Sequence, residues 1–118
     1  MKLIRQNVAQ ATPNESPIFN GHVLTQNLVA DDDAKLLRVT AVTFEDGGRN
    51  KLHCHSTDQV LVVTHGHGIV ATENEEIHVE TGDVVLITAG ERHWHGAKPG
   101  ESFTHLSILT PGHMTILE

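Results

Sequence analysis

The stretch from Gly47 to Gly66, GGRNKLHCHSTDQVLVVTHG, restricts the fold and chemistry of this chain more than any other part of the sequence. On an extended strand alternate side chains share a face, so His53 and His55 project together and Cys54 projects to the other side. Gln59 follows His55 after the turn-forming residues STD, so it can return to the same face from the next strand. The stretch therefore predicts a β-hairpin that offers nitrogen and oxygen donors to one metal ion.

A second stretch, Gly82 to Ala97 (GDVVLITAGERHWHGA), again carries two histidines two residues apart, His93 and His95. We expect His93 to bind the same metal and His95, one pleat or about 6–7 Å further along its strand, to lie beside the site. Alternation turns Trp94 to the opposite face, where we expect it to pack, as we expect for Cys54. Two such pairs on predicted strands favour a metal site over isolated buried histidines. The predicted metal ligands are His53, His55, Gln59 and His93.

The rest of the chain favours β structure. Val, Ile and Thr, which are β-branched, number 12, 7 and 12 of the 118 residues and favour strands. Turn signals recur about every 8–12 residues and no segment has helical periodicity, a pattern typical of a β-sandwich or barrel. A chain of this length forms one hydrophobic core. We therefore predict a single all-β domain.

Proline and glycine divide the chain into an arm and a domain. Residues 1–21 are polar and contain Pro13, Pro17 and Gly21, which indicate an N-terminal arm with one short edge strand. Residues 22–118 form the predicted domain. Within it the sequence predicts strands at 22–29, 35–44, 60–63, 92–98 and 102–110, turns at 45–48 and 65–68, and a hairpin tip at Asn74.

The two histidine stretches also resemble known sequence motifs. The first has the spacing G-x(5)-H-x-H-x(3)-Q-x(6)-G, which resembles the first conserved motif of the cupins. The second has the spacing G-x(5)-T-A-G-x(2)-H and is similar to the second cupin motif. Gln59 stands where cupins usually have Glu, Thr88 where they usually have Pro, and Ala97 where they usually have Asn. The resemblance implies a double-stranded β-helix, the small jelly-roll barrel of the cupins.

The sequence around the second motif, GERHWHG followed by FTHLSI, narrows the resemblance. It is similar to a subset of small single-domain cupins that includes the bacterial manganese-dependent hydroxynitrile lyases. This likeness implies one divalent transition metal, with manganese expected first and Fe, Ni, Zn or Co as alternatives that imidazole and amide donors also suit. It also implies a homodimer or a larger homo-oligomer, because cupins similar to this one commonly pair through an N-terminal arm.

Four uncharged ligands would leave the double charge of the metal undiminished, so we expect a strong Lewis acid. Gln59 has a catalytic role in this reading, because it keeps the ligand set neutral and cannot accept a proton. The catalytic base must then be another residue, and we expect His105, which shares a strand face with Phe103, Ser107 and Leu109. The pocket is expected to be lined by Thr40, Val42, Phe44, His95 and Leu109.

No cluster of Arg or Lys lies near either motif, so we expect a small and mostly uncharged substrate. The first hypothesis is a metal-dependent lyase of the hydroxynitrile lyase type. In that reaction His105 takes a hydroxyl proton and a C–C bond breaks to release an aldehyde and cyanide. The second hypothesis is dioxygen chemistry at Fe or Ni, as in small dioxygenase-like cupins. The third is a non-enzymatic module that binds a metal or a small ligand.

Charge and composition restrict the partners. The formal net charge is −7, which argues against nucleic acid or an anionic membrane. The start, MKLIRQNVAQ, lacks the apolar run of a signal peptide, and one cysteine cannot form an internal disulfide. No window approaches the length of a membrane span. We therefore expect a cytoplasmic protein whose partners are a small-molecule substrate and further copies of itself.

Overall fold

The computed structural model describes all 118 residues of the chain, and most of them lie in β-strands. One short 3-10 helix covers Val8–Gln10, and no helix has the length and apolar character needed to cross a lipid bilayer. The predicted all-β fold is confirmed. The strands are β1 Thr12–Pro13, β2 Phe19–Val29, β3 Arg38–Asn50, β4 His53–His55, β5 Gln59–Ala71, β6 Glu76–Glu80, β7 Val84–Ile87, β8 Trp94–Gly96, β9 Ser102–Leu109 and β10 Met114–Ile116.

Antiparallel pairing closes the longest strands into a barrel. β3 pairs with both β8 and β9, and β5 pairs with the same two strands, so the circuit of pairs is complete. β6 and β7 also pair with β5, while β2 and β1 continue the sheet beyond β3. β4 and β10 form a separate two-stranded sheet. This closed antiparallel arrangement is the jelly-roll barrel that the two motifs imply.

The hydrophobic core fills the interior of the barrel and supports the histidines. Phe44 and Phe103 are cross-strand partners, are 0% and 1% exposed, and stack with ring centroids 6.0 Å apart. The Phe44 ring also lies 5.7 Å from the His95 ring and 5.6 Å from the His105 ring. Aliphatic side chains from β2, β3, β5, β6 and β7 surround this pair: Val23, Val42, Leu61, Val63, Val70, Val79 and Ile87.

Two strands of the main sheet begin within the segment predicted as the arm: β1 at Thr12 and β2 at Phe19. The Phe19 ring packs edge-on against Phe44 with the centroids 6.3 Å apart. This contact anchors the start of β2 to the core, because an aromatic side chain buries a large apolar area.

β3 runs through the turn predicted at 45–48, so that prediction is wrong. Asp46 has a φ of 46° and Gly47 a φ of 79°, and the chain bends there without leaving the sheet. Before the bend β3 pairs with β9 as far as Glu45, and after it Arg49 pairs with β8. Positive φ is easy only for glycine and a few short polar residues. The turn-forming residues therefore redirect a long strand from one partner to another.

β5 likewise continues through the turn predicted at 65–68. Its register against β9 shifts between Val63 and His65, which bends the strand. A Cβ atom on Gly68 would lie 2.4 Å from the Phe103 ring. Glycine is required there by the close approach of the aromatic core, since a glycine inside a strand often marks such an approach. The predicted turn is therefore wrong.

Other predicted elements agree with the structure in place but differ in length. The hairpin tip at Asn74 is confirmed, since β5 ends at Ala71 and β6 begins at Glu76. The strand predicted at 35–44 begins at Arg38, and the one predicted at 92–98 is limited to β8.

Candidate metal centre

Backbone hydrogen bonds bring the two histidine stretches together. The His53 N–H donates to the His93 carbonyl at 3.0 Å, and the His93 N–H donates to the His53 carbonyl at 2.9 Å. His55 lies at the other end of β4, opposite Met114 of β10. The His53 ring centroid lies 4.3 Å from that of His93 and 5.0 Å from that of His55. Three histidines from two separate parts of the sequence thus form one cluster.

Outer hydrogen bonds orient two of these rings. His53 Nδ1 donates to the Lys51 carbonyl at 2.6 Å, and His93 Nδ1 donates to the Glu91 carbonyl at 2.9 Å. A neutral imidazole that donates through Nδ1 keeps an unprotonated Nε2 with a free lone pair. A ring N–H held by an outer carbonyl is the usual way in which a metal-binding histidine is oriented.

Gln59, the first residue of β5, is 3% exposed. Its Nε2 donates to the Ser107 Oγ at 2.8 Å, and its Oε1 is buried with no hydrogen-bond partner. β5 places it beside β9, which carries Ser107, and this pairing holds the amide in place. The amide oxygen is therefore a free donor atom at the site.

The donor atoms fit a divalent metal. The ligand nitrogens of His53, His55 and His93 all lie within 4.8 Å of one another. His55 Nε2, His93 Nε2 and Gln59 Oε1 are buried without a partner. Such atoms are rare, because each one left unsatisfied costs about 1–3 kcal/mol. Imidazole nitrogen with amide oxygen suits Mn, Fe, Ni, Co or Zn, so these residues could hold the ion that the two motifs predict.

Burial keeps the three histidines in the neutral form that binds metal. Burial, with a further contribution from the neighbouring His93, lowers the pKa of His53 to about 4. Burial also lowers the pKa of His55, again with His93 as a second cause, and the pKa of His93 itself. Removing a charge from water disfavours the imidazolium. The cluster therefore needs no deprotonation to bind a cation near neutral pH.

A second pair of histidines adjoins the cluster. His105 Nε2 and His95 Nδ1 lie 2.9 Å apart and share a hydrogen bond, and His105 Nδ1 is buried without a partner. The Asn50 Nδ2 lies 3.3 and 3.1 Å from the two nitrogens of the His95 ring, while its Oδ1 accepts from the His95 backbone N–H at 2.8 Å. Burial lowers the pKa of His105 to about 4 and, with His105 as a second cause, the pKa of His95 well below its usual value.

A cavity of about 150 Å³ opens beside the histidines. It is lined by apolar side chains, the site residues and two further polar residues, and by no Lys, Arg, Asp or Glu. A cavity of about this volume with apolar walls holds a molecule the size of benzene. The lining residues that do not belong to either histidine group are Ile18, Phe19, Val42, Asn50, Gln59, Ser107, Leu109 and Met114.

Comparison with known proteins agrees with this architecture. The family model described as a cupin domain matches residues 40–109. The chain belongs to the cupins. This cupin is 44% identical over 93 residues to (R)-mandelonitrile lyase from Granulicella tundricola, and the match covers 76% of this chain and 70% of that protein. A shorter match, 41% identity over 46 residues, is to acireductone dioxygenase from a Sulfurihydrogenibium species and covers 36% of this chain and 26% of that protein.

Solved structures share the fold. A cupin-like protein from Thermotoga maritima has a TM-score of 0.86 and 32% identity, covering 95% of this cupin and 89% of its own chain. A polyketide cyclase from Streptomyces resistomycificus has a TM-score of 0.81 at 17% identity, covering 99% and 88% of the two chains. At that identity the second likeness shows the fold alone.

The structure brings most of the predicted site residues of this cupin together. The predicted ligands and His105 surround one site, and Val42, His95 and Leu109 line its cavity. Phe44 lies beneath the cavity, fully buried in the core. Thr40 lies outside it, on an outer groove with Asp31 and Arg38, because β3 begins at Arg38 and reaches the cavity only at Val42. The predictions of Phe44 and Thr40 as lining residues are therefore corrected.

Five lining residues were not predicted: Ile18, Phe19, Asn50, Ser107 and Met114. The first two lie in the segment assigned to the arm, and Met114 reaches the site through the pairing of β10 with β4. Strand alternation places Ser107 on the same strand face as His105, so the sequence did indicate that Ser107 could line the site. No such pattern indicated Asn50. It follows the turn predicted at 45–48, where the structure has a continuous strand instead.

Proposed function

We propose that this cupin is a metal-dependent lyase that cleaves a small, uncharged cyanohydrin into a carbonyl compound and hydrogen cyanide. One observation carries the proposal: uncharged metal donors lie beside a cavity of about 150 Å³ that no charged residue lines. Three of these donors have a buried atom without a hydrogen-bond partner. The cavity suits a compound with one aromatic ring. The related (R)-mandelonitrile lyase from Granulicella tundricola supports the same reaction class.

His53, His55, Gln59 and His93 would hold one divalent transition metal, with manganese proposed first. When bound, the ion would supply positive charge that favours loss of a proton from a nearby hydroxyl group. The protein's part is to hold the donors neutral and to exclude charged side chains from the cavity. Gln59 contributes an oxygen without adding negative charge, so it leaves the charge of the ion uncompensated.

His105 is the proposed base. If its Nε2–H donates to His95 Nδ1, 2.9 Å away, the lone pair of the buried His105 Nδ1 remains free to accept a proton. The substrate hydroxyl gives its proton to that atom, the C–O double bond forms as the C–C bond breaks, and cyanide leaves with the bonding electron pair. His105 then returns the proton to cyanide. Its lowered pKa keeps it neutral, and able to accept, at neutral pH.

A second candidate is dioxygen chemistry, which the short match to acireductone dioxygenase favours. The two functions are separated by assaying the chelated protein after addition of Mn²⁺, Fe²⁺ or Ni²⁺. The lyase proposal expects release of cyanide from (R)-mandelonitrile without uptake of oxygen. Oxygen uptake without cyanide release would support the dioxygenase instead. Metal retention with neither activity would indicate a binding module and would contradict both enzymes.

We also propose that the protein forms at least a homodimer. The outer face of the sheet carries Val84 and Leu86, which are 65% and 62% exposed, next to Val62 and Val60 of β5. An exposed apolar sheet face supports packing against a second copy. The N-terminal arm reaches the same side of β5, where Gln6 Nε2 donates to Thr64 Oγ1 at 2.9 Å. Light scattering of the intact protein at micromolar concentration tests the proposal, and a monomer there would reject it.

A further inference from the structure

The side chain of Gln59 has two chemically different ends, and only one of them can bind a metal. Its amide oxygen carries lone pairs, whereas its nitrogen carries two hydrogens and no available lone pair. Rotation of the amide by a half turn exchanges the two ends with almost no change of shape. A glutamate at this position would have no such ambiguity, because its two oxygens are equivalent. A glutamine ligand therefore needs a partner that accepts its N–H when its oxygen faces the site.

Ser107 is in position to be that partner. The Ser107 Oγ accepts from Gln59 Nε2 at 2.8 Å, and the Gln59 Oε1 at the other end is buried without a partner. Ser107 lies on β9 two residues after His105 and lines the same cavity. Gln59 is 3% exposed, so water cannot readily replace the serine as an acceptor. Without the hydroxyl, the orientation that directs oxygen to the site would leave a buried N–H unsatisfied.

The histidines would favour the opposite orientation in the metal-free protein. His93 Nε2 is a buried acceptor without a partner, because Nδ1 of the same ring donates to the Glu91 carbonyl; beside such an acceptor an amide N–H is favoured over an amide oxygen. In that orientation the Ser107 hydroxyl can donate to the amide oxygen instead, because a hydroxyl both donates and accepts. With Ser107 present, both orientations of the amide are hydrogen-bonded. Without it, the oxygen-inward orientation that metal binding requires leaves a buried N–H unsatisfied.

We propose that Ser107 is a positioning residue whose hydroxyl accepts the Gln59 N–H and so stabilises the amide with its oxygen towards the metal. The inference rests on the proposed metal site. Ser107 acts through Gln59 and is not itself a ligand. Partners of this kind, one step outside the ligands, typically change metal affinity by about 10–100-fold when they are removed.

The test compares Mn²⁺ affinity among variants of the chelated full-length protein, measured by titration calorimetry. Ser107→Ala is expected to bind Mn²⁺ about 10–100-fold more weakly than the wild type, while Ser107→Thr, which keeps the hydroxyl, is expected to bind within a few-fold of it. Ser102→Ala is the matched control, because Ser102 is an exposed residue of the same strand. In a Gln59→Ala background the Ser107→Ala change should have no further effect, since the amide that it orients is gone.

A second readout separates orientation from folding. The thermal midpoint of the metal-free Ser107→Ala protein should match that of the wild type within a few degrees. In cobalt-substituted protein, loss of the amide oxygen from the ligand set should strengthen the visible absorption as the coordination number falls. Equal Mn²⁺ affinity in the wild type and Ser107→Ala, or an equal loss in the Gln59→Ala background, would overturn the inference.

The outcome also distinguishes this inference from the proposed function. A wild-type protein that binds Mn²⁺ in a Ser107-dependent manner but releases no cyanide would support the positioning role and reject the lyase. A wild-type protein that binds no Mn²⁺, Fe²⁺ or Zn²⁺ would overturn both.

Discussion

The metal-free protein is expected to lose stability steeply as the pH falls from about 6.5 to about 4. Burial, with a smaller contribution from His93, lowers the pKa of His53 from 6.5 to about 4, and burial lowers the pKa of His105 by the same amount. One pKa unit corresponds to about 1.4 kcal/mol, so each histidine contributes about 3 kcal/mol. The two together approach the whole free energy of unfolding of a typical domain, about 5–15 kcal/mol.

The sign of the effect follows from which state binds the proton. Between the folded pKa of about 4 and the unfolded value of 6.5, the unfolded chain binds more protons than the folded one. The stabilisation is therefore complete above pH 6.5 and disappears as the pH falls through that interval. Bound metal would extend the stable range, since protons and metal compete for the nitrogen of His53.

Urea denaturation followed by circular dichroism at a series of pH values, with a chelator present, measures this dependence. His105→Phe is the informative variant, because the new ring would lie among Phe44 and Phe103 and cannot titrate. It should remove about 3 kcal/mol of the pH dependence. His78→Gln, on the exposed side of β6, serves as the control for replacing a histidine outside the site. A wild-type stability that is flat between pH 6.5 and 4.5 would refute the reasoning.

Three further changes have defined outcomes. His105→Ala should retain its metal and lose turnover by about 10²–10⁴-fold, whereas loss of metal would make His105 a ligand. Gln59→Glu should hold metal as well or better through Coulomb attraction and turn over more slowly, because the added charge weakens the Lewis acid; unchanged turnover would show that the neutral ligand is incidental. Deletion of residues 1–20 should shift the proposed homodimer towards monomer in light scattering, and an unchanged mass would show that the arm is not part of the interface.

The fold could be predicted because each local signal pointed to it. Two histidine pairs on alternating strands, abundant β-branched residues and regular turn signals are all consistent with a single small barrel. The errors arose where glycine serves a purpose other than a turn. Gly47 gives β3 a bend between two partner strands, and Gly68 makes room for Phe103. Both depend on contacts with distant strands, which local sequence does not contain.

The site could be predicted as far as strand alternation extends. Alternation places His53 with His55 and His93 with His95, and the structure brings those pairs together through one antiparallel bridge. It does not say which residues of a long strand reach the cavity, so Thr40 and Phe44 were placed wrongly. Ile18 and Met114 come from segments far apart in the chain, yet both line the cavity. Their roles follow from closure of the barrel, which no local pattern encodes.

The central claim is that His53, His55, Gln59 and His93 hold one divalent metal. Elemental analysis of the protein purified without added metal tests it most directly, with a His53→Ala, His93→Ala double variant prepared in parallel. We expect close to one divalent transition-metal ion per chain in the wild type, manganese foremost, and almost none in the double variant. A wild type without bound metal, or a double variant that retains the same amount, would contradict it.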